Sequence, residues 1–280
     1  MQKEEIHEKP IESVDVYKTV DKWYYSVILA IIIVGQGGIL LYGTMTAISL
    51  IGMYELYRVL NMEKSPLAVI GYLTAAAYYG LVWFEGTGYV TLLAIGALMV
   101  MMSLYVFQFP KYKTEEVACA FFGVFYVAVM LSYLYQVRAM ADGKYLVWLI
   151  FLSSWGCDTS AYCVGMLFGK HKMAPVLSPK KSIEGAVGGI AGSALLGLLF
   201  AWLFGGKFSS VSNPQAACAI ACAIAAAISQ IGDLAASAIK RNHNIKDYGN
   251  LIPGHGGILD RFDSMLFTAP AIYFAVTFLG

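Results

Sequence analysis

Charge is scarce in this chain. Only 13% of its 280 residues are Asp, Glu, Lys or Arg, while 59% are hydrophobic, and the mean hydropathy is +0.65. An ordinary soluble domain carries about 25% charge, so that class is excluded. Alternating apolar and polar residues, the mark of a membrane β-barrel, are missing too. The net charge of +1 is too small to draw the chain to nucleic acid. The cysteines Cys119, Cys157, Cys163, Cys218 and Cys222 are odd in number and lie inside apolar runs. They read as small buried hydrophobes, not as a disulfide framework. HExxH, CxxC and paired-histidine spacings are absent, which disfavours zinc. The Walker A loop is absent as well, so any nucleotide is bound without a P-loop.

Long apolar runs stand in place of these features. A run of roughly 18 residues or more reads as a membrane-spanning helix. The runs fall at about 24–36, 38–58, 66–84, 87–108, 115–136, 145–168, 185–204, 214–240 and 264–280. They predict an all-α polytopic membrane protein of about nine transmembrane helices. "GQGG" at 35–38 supplies a break between the first two; the alternative is one long or re-entrant element over 24–60. With the N-terminus in the cytoplasm, every Lys and Arg except Arg138, Lys144 and Lys207 faces that side, as the positive-inside rule asks. Residues 1–23 lack a basic n-region and a cleavage site, so they read as a cytoplasmic or interfacial segment and not a signal peptide. Residues 24–144 make an N-terminal bundle of about five spans. Residues 145–280 make a region of about four spans with cytoplasmic loops 169–184 and 241–263, and the chemistry is expected there.

Charges inside spans are costly and mark function or pairing. "SSWGCDTSAYCVGMLFGKHKMAPVLSPKKSIEG" (153–185) aligns Ser154, Asp158, Tyr162, Gly165 and Gly169 on one helix face. Glycines there let another helix come close. Ser182 suits an N-cap with Glu184 in the first turn, and a capped helix end beside Lys180 and Lys181 is a ready phosphate site. "ISQIGDLAASAIKRNHNIKD" (228–247) projects Ser229, Gln230, Asp233, Ser237, Lys240 and Arg241 from one face. Asp233 and Lys240 are two turns apart, about 10 Å, too far for direct pairing. Asp233 therefore needs a metal, another helix or substrate as its partner. "PGHGGILDRFD" (253–263) adds His255, Gly256, Gly257, Asp260, Arg261 and Asp263 just ahead of the last run. A glycine-rich turn with one capping aspartate accounts for only part of it.

Together these stretches offer four carboxylates (Asp158, Asp233, Asp260, Asp263) among lysines and arginines on one membrane face. Oxygen ligands without nitrogen or sulfur suit Mg2+ held by carboxylates and substrate phosphates. Abundant Lys and Arg suit polyphosphate charge. The chemistry these residues favour is phosphoryl or nucleotidyl transfer to a lipid-borne acceptor. A polyprenol or phytol kinase needs the same residue types, and a transporter with acidic sites is a further alternative.

"SAIKRNHNIKDYGNLIPGHGGILDRFD" (237–263) resembles the signature of the phosphatidate cytidylyltransferases, the CDP-diacylglycerol synthases. Ser237, Lys240, Arg241, Lys246, Asp247, Gly249, His255, Gly256, Gly257, Asp260, Arg261 and Asp263 all fit it. "WGCDTSAY" and "FGKHKMAPVLSPKKSIEG" resemble the same family upstream. The resemblance implies an integral-membrane enzyme, homodimeric, acting on CTP and phosphatidic acid at the cytoplasmic face of the cell membrane. It implies Mg2+ on Asp233 and Asp260, with Asp158 as a further ligand or support, and leaves open a second cation, monovalent or divalent. In that reading Lys240, Arg241, Lys246 and Arg261 bind the triphosphate, and Asp263 joins the catalytic set. Ser178, Lys180, Lys181, Ser182, Ser237, His255, Gly256 and Gly257 bind substrate, the glycines by backbone approach to phosphate.

Overall fold

The structure is a computed structural model that describes residues 29–209, 211–251 and 256–279. Its contacts divide the chain into Met1–Gln36 and Gly37–Gly280. In the first unit, residues 29–36 are helical (α1). Residues 1–28, including the expected interfacial segment, lie outside the described residues.

The second unit is a helical bundle: α2 (Gly38–Val59), α3 (Pro66–Trp83), α4 (Val90–Phe107), α5 (Thr114–Gly123), α6 (Met130–Ala139), α7 (Gly143–Phe168), α8 (Ile183–Phe204), α9 (Pro214–Asn242) and α10 (Leu259–Leu279). A π-helical segment, Val124–Val129, joins α5 and α6 into one rod. Start signals explain several boundaries. Ser65 and Asn213 each accept a backbone N–H of their helix's first turn, with proline next in line, the favoured entry to a helix. Gly37 takes a positive φ of 68° and breaks the helix where "GQGG" predicts.

Seven helical stretches among the described residues are long and apolar enough to cross a membrane. They are α2, α3, α4 with the turn before it, α5–α6, α8, α9 and α10. The two remaining predicted spans are 24–36, of which only part is described, and α7. The 26 residues of α7 suffice in length, but its polar face from Ser153 to Ser160 lowers its hydropathy.

Helices α7 and α9 pack on each other and on both α8 and α10, and α6 and α2 pack on α10. The seam of α8 is a stripe of small residues at every fourth position: Gly185, Gly189, Ser193, Gly197 and Ala201, all buried. A side chain at Gly189 would strike Cys157 and Ala161 of α7, and one at Gly197 would strike the backbone of α9. Small residues at this spacing let helices approach where lipid removes the hydrophobic driving force between them. Gly165 on α7 lies against the same seam, as its sequence face suggests. All five cysteines are free; Cys157, Cys218 and Cys222 are buried, whereas Cys163 faces outward.

Two corrections bear on the site. The expected loop 169–184 contains an antiparallel hairpin, β1 (Lys172–Ala174) and β2 (Ser178–Ser182). The last helix begins at Leu259, not at 264, so Asp260 and Asp263 lie within its first turns. An acidic first turn is favoured by the positive end of the helix dipole, which is why "DRFD" is helical despite its charge.

Candidate active site

The three polar stretches meet where α7 and α9 end and α8 and α10 begin. In β2, Lys180 is exposed and Lys181 is half-buried. Lys181 pairs with Asp233 Oδ2 of α9, so the partner Asp233 requires comes from another element. One turn up α9, Gln230 Nε2 donates to the Ala186 carbonyl of α8 at 3.0 Å. Two turns down, Lys240 Nζ lies 2.9 Å from Asp260 Oδ1 and 3.7 Å from Asp263 Oδ2 of α10. The stripe on α9 is thus divided between two neighbours. Asp263 feels the charges of both Asp233 and Asp260, and Asp158 feels those of Asp233 and Lys181. Four carboxylates from three helices stand interleaved with two lysines.

The two lysine pairs differ in solvation. Lys181 and Asp233 are each about a quarter exposed, whereas the Asp260 side chain is 3% exposed. Asp260 Oδ2 also accepts the N–H of Tyr248 at 2.7 Å and of Gly257 at 3.0 Å. Both oxygens of this buried carboxylate are thus satisfied by donors. Tyr248 lies against the buried pair. Its ring lies 5.2 Å from Lys240 Nζ and its hydroxyl donates to the Ala236 carbonyl at 3.2 Å. Burial pushes the Tyr248 phenol up, so it remains a donor.

A cavity of about 400 Å³ opens beside the Lys181–Asp233 pair, between α7, the hairpin and α8. Asp158, Lys180, Lys181 and Ser182 supply its polar wall; Tyr162 and Met166 supply apolar wall. Ser182 caps α8 by accepting the Gly185 N–H at 3.1 Å, as its position predicts. Glu184 turns back on the hairpin, taking the N–H groups of Lys170 and His171 and the His171 ring.

A profile of the cytidylyltransferase family matches residues 19–279. The chain belongs to that family. A phosphatidate cytidylyltransferase of Staphylococcus epidermidis is 33% identical over 242 residues, 85% of this chain and 90% of the relative. Those of Staphylococcus haemolyticus (32% over 251 residues, 88% and 92%) and Staphylococcus aureus (32% over 242 residues, 85% and 90%) are similarly close. The protein is therefore a nucleotidyltransferase with a helical membrane fold.

Not every expected residue of this cytidylyltransferase joins the cluster. Arg241 is exposed and donates to the Ile245 carbonyl of its own chain turn at 3.2 Å. Lys246 and Arg261 are exposed, and neither forms an ion pair among the described residues. Ser178 and Ser237 are half-buried. His255 lies outside the described residues. The signature glycines serve carboxylates of the chain itself. Gly256 adopts φ 82°, a backbone that favours glycine, and the Gly257 N–H is taken by Asp260.

One participant escaped the sequence reading. Glu55 of α2 is 3% exposed and accepts the N–H of Ile258 at 3.0 Å and of Leu259 at 2.8 Å. A Cβ on Gly257 would stand 2.5 Å from Glu55 Oε2. Gly257→Ala is therefore expected to destabilise the protein by about 1–3 kcal/mol, the usual cost of overpacking, read as a lowered melting midpoint in detergent. Glu55 did leave a sequence signal: it is the lone acid within an apolar run, "LIGMYELYRV".

Proposed function

We propose that this cytidylyltransferase transfers the cytidylyl group of CTP to phosphatidic acid, giving CDP-diacylglycerol and pyrophosphate. The observation that carries the reading is a cavity lined by Lys180 and Lys181 on one wall and by Tyr162 and Met166 on another, beside the Lys181–Asp233 pair; α9, which bears Asp233, also carries Lys240 to Asp260. A lipid phosphate and a soluble triphosphate both find cations there. The relatives' names support the same substrates.

An oxygen of the lipid phosphate, anionic at neutral pH, attacks the α-phosphorus of CTP. The bond from that phosphorus to the β-phosphate oxygen breaks, and pyrophosphate leaves. No strong general base is needed. The chain's work is positioning and charge compensation, which dominate phosphoryl-type transfers. Lys180 and Lys181 bind phosphate from the hairpin side. Lys240, Arg241, Lys246 and Arg261 compensate the triphosphate and the departing pyrophosphate.

The donor chemistry fits Mg2+. Among the described residues no three His, Cys, Asp or Glu side chains converge on one point. Mg2+ needs only one or two carboxylates, with substrate phosphates completing its shell. Asp233 and Asp260 would hold it, with Asp158 in support. When bound, such an ion neutralises charge on the reacting phosphates. Of the two, Asp233 Oδ1 has no hydrogen-bond or ion-pair partner among the described residues, whereas both oxygens of Asp260 are engaged. We further read the enzyme as a homodimer in the cell membrane with this site facing the cytoplasm, in keeping with the skew of its basic residues.

The test incubates purified protein with Mg2+, phosphatidic acid and each of four labelled nucleoside triphosphates. CDP-lipid and pyrophosphate should form with CTP alone, stop with EDTA and resume with excess Mg2+. Phospholipid formed with a nucleoside diphosphate, or solute flux without turnover, would overturn the reading. Lys180→Ala should raise KM about 10-fold, the worth of one charge-assisted contact. The melting midpoint should not move, because Lys180 is exposed and forms no ion pair among the described residues.

A further inference from the structure

We infer that Glu55 and Arg58, one helical turn apart on α2, position Asp260 by gripping both ends of the loop between α9 and α10. The inference rests on the cytidylyl-transfer reading of the site. It places part of the catalytic apparatus in the N-terminal half, where the sequence offers no recognisable chemistry.

The grip at the far end is the Glu55 carboxylate. Its two oxygens take two successive N–H groups, those of Ile258 and Leu259, at the first turn of α10. Helix N-terminal N–H groups have no partner within the helix, and the positive end of the helix dipole favours an anion there. In many phosphate-binding folds a ligand fills such a place; here the chain fills it with its own carboxylate. The loop closes on Glu55 from two sides, because a Cβ on either Gly249 or Gly257 would collide with the carboxylate. A carboxylate buried this deeply is tolerated only while its donors stay in place, so Glu55 and the loop hold each other in one arrangement.

The grip at the near end is Arg58. Its Nη2 donates to the Tyr248 carbonyl at 2.9 Å. The N–H of the same residue donates to Asp260 Oδ2. Residue 248 is therefore held by α2 through its carbonyl and by α10 through its N–H. Asp260 Oδ2 also takes the Gly257 N–H, which ties the loop's two ends to one oxygen. The other oxygen faces Lys240. If α2 releases the loop, Asp260 loses the frame that sets its position, and Lys240 moves with it. Displacement of a catalytic group by about 1 Å costs on the order of 10²-fold in rate. Glu55 and Arg58 touch no reacting atom in this scheme; they are positioning residues.

The test compares wild type, Glu55→Gln, Arg58→Gln and the double variant as full-length protein in detergent. Glu55→Gln should lower kcat about 10- to 100-fold, and Arg58→Gln several-fold, with KM for CTP and phosphatidic acid within about twofold of wild type. Since both act through one loop, the double variant should lose little more than Glu55→Gln alone. Amide hydrogen exchange should quicken at 248–259 and stay unchanged in α3 and α4. Arg58 is exposed, so its variant keeps the melting midpoint and decides the matter if Glu55→Gln does not fold. Unchanged kcat despite faster loop exchange would overturn the proposal, and so would a rise in KM at constant kcat. The exchange measurement does not depend on turnover: if wild type forms no CDP-lipid, the proposed function falls while the grip is still judged.

Discussion

Asp233→Asn should lower kcat by about 10³-fold or more, the scale of removing one preorganised electrostatic contact at a reacting phosphate. The protein should stay folded, because the partner left behind, Lys181, is about a quarter exposed and water can solvate it. Ion pairs that solvent reaches contribute about 0–1 kcal/mol, so the melting midpoint in detergent should shift little. CDP-lipid formation and thermal unfolding measured on the same preparation check both halves. A folded Asp233→Asn enzyme with wild-type turnover would remove Asp233 from the machinery.

Lys240→Ala should behave differently, since it is expected to damage stability and activity together. Lys240 faces Asp260 and Asp263, whose side chains are 3% and 14% exposed. Removing the ammonium leaves two buried carboxylates without their cation, and breaking such a pair from one side costs about 3–5 kcal/mol. The Tyr248 and Gly257 N–H groups still compensate Asp260, which holds the loss to the lower part of that range. Arg in place of Lys should restore stability before activity, because a planar guanidinium does not fit a site shaped for a compact ammonium. The contrast with Asp233→Asn is the diagnostic: one variant loses rate alone, the other loses both.

Most of the fold was legible because lipid imposes a simple code. Length and apolarity set the spans, and Ser182 marked a helix start by ordinary capping chemistry. The expectation failed at α10, where the acidic first turn read as loop. Beside the helix dipole, Glu55 supplies a second reason: its carboxylate meets the N–H groups that open the helix from another part of the chain, a contact that no local pattern carries. The site was legible in its members more than in its pairings. The helical spacing ruled out Asp233–Lys240, but only three-dimensional packing gives Lys181 to Asp233 and Asp260 to Lys240. The glycines of "HGGILD" were expected to approach phosphate. Within the chain, Gly257 makes room for Glu55 and lends its N–H to Asp260.

The contact between α2 and α10 also sets an order of assembly. Glu55 is made 204 residues before Leu259. At about 5–20 residues per second, its carboxylate waits on the order of 10–40 s for the N–H groups that compensate it. Until α10 is in place, the loop has only its Arg58 contact on α2 and lacks the Glu55 contact. On the proposed reading of Asp260, a chain that has threaded only the helices before α10 lacks part of its site. In that scheme the Asp260 site is completed only once α10 follows the earlier helices into the bilayer.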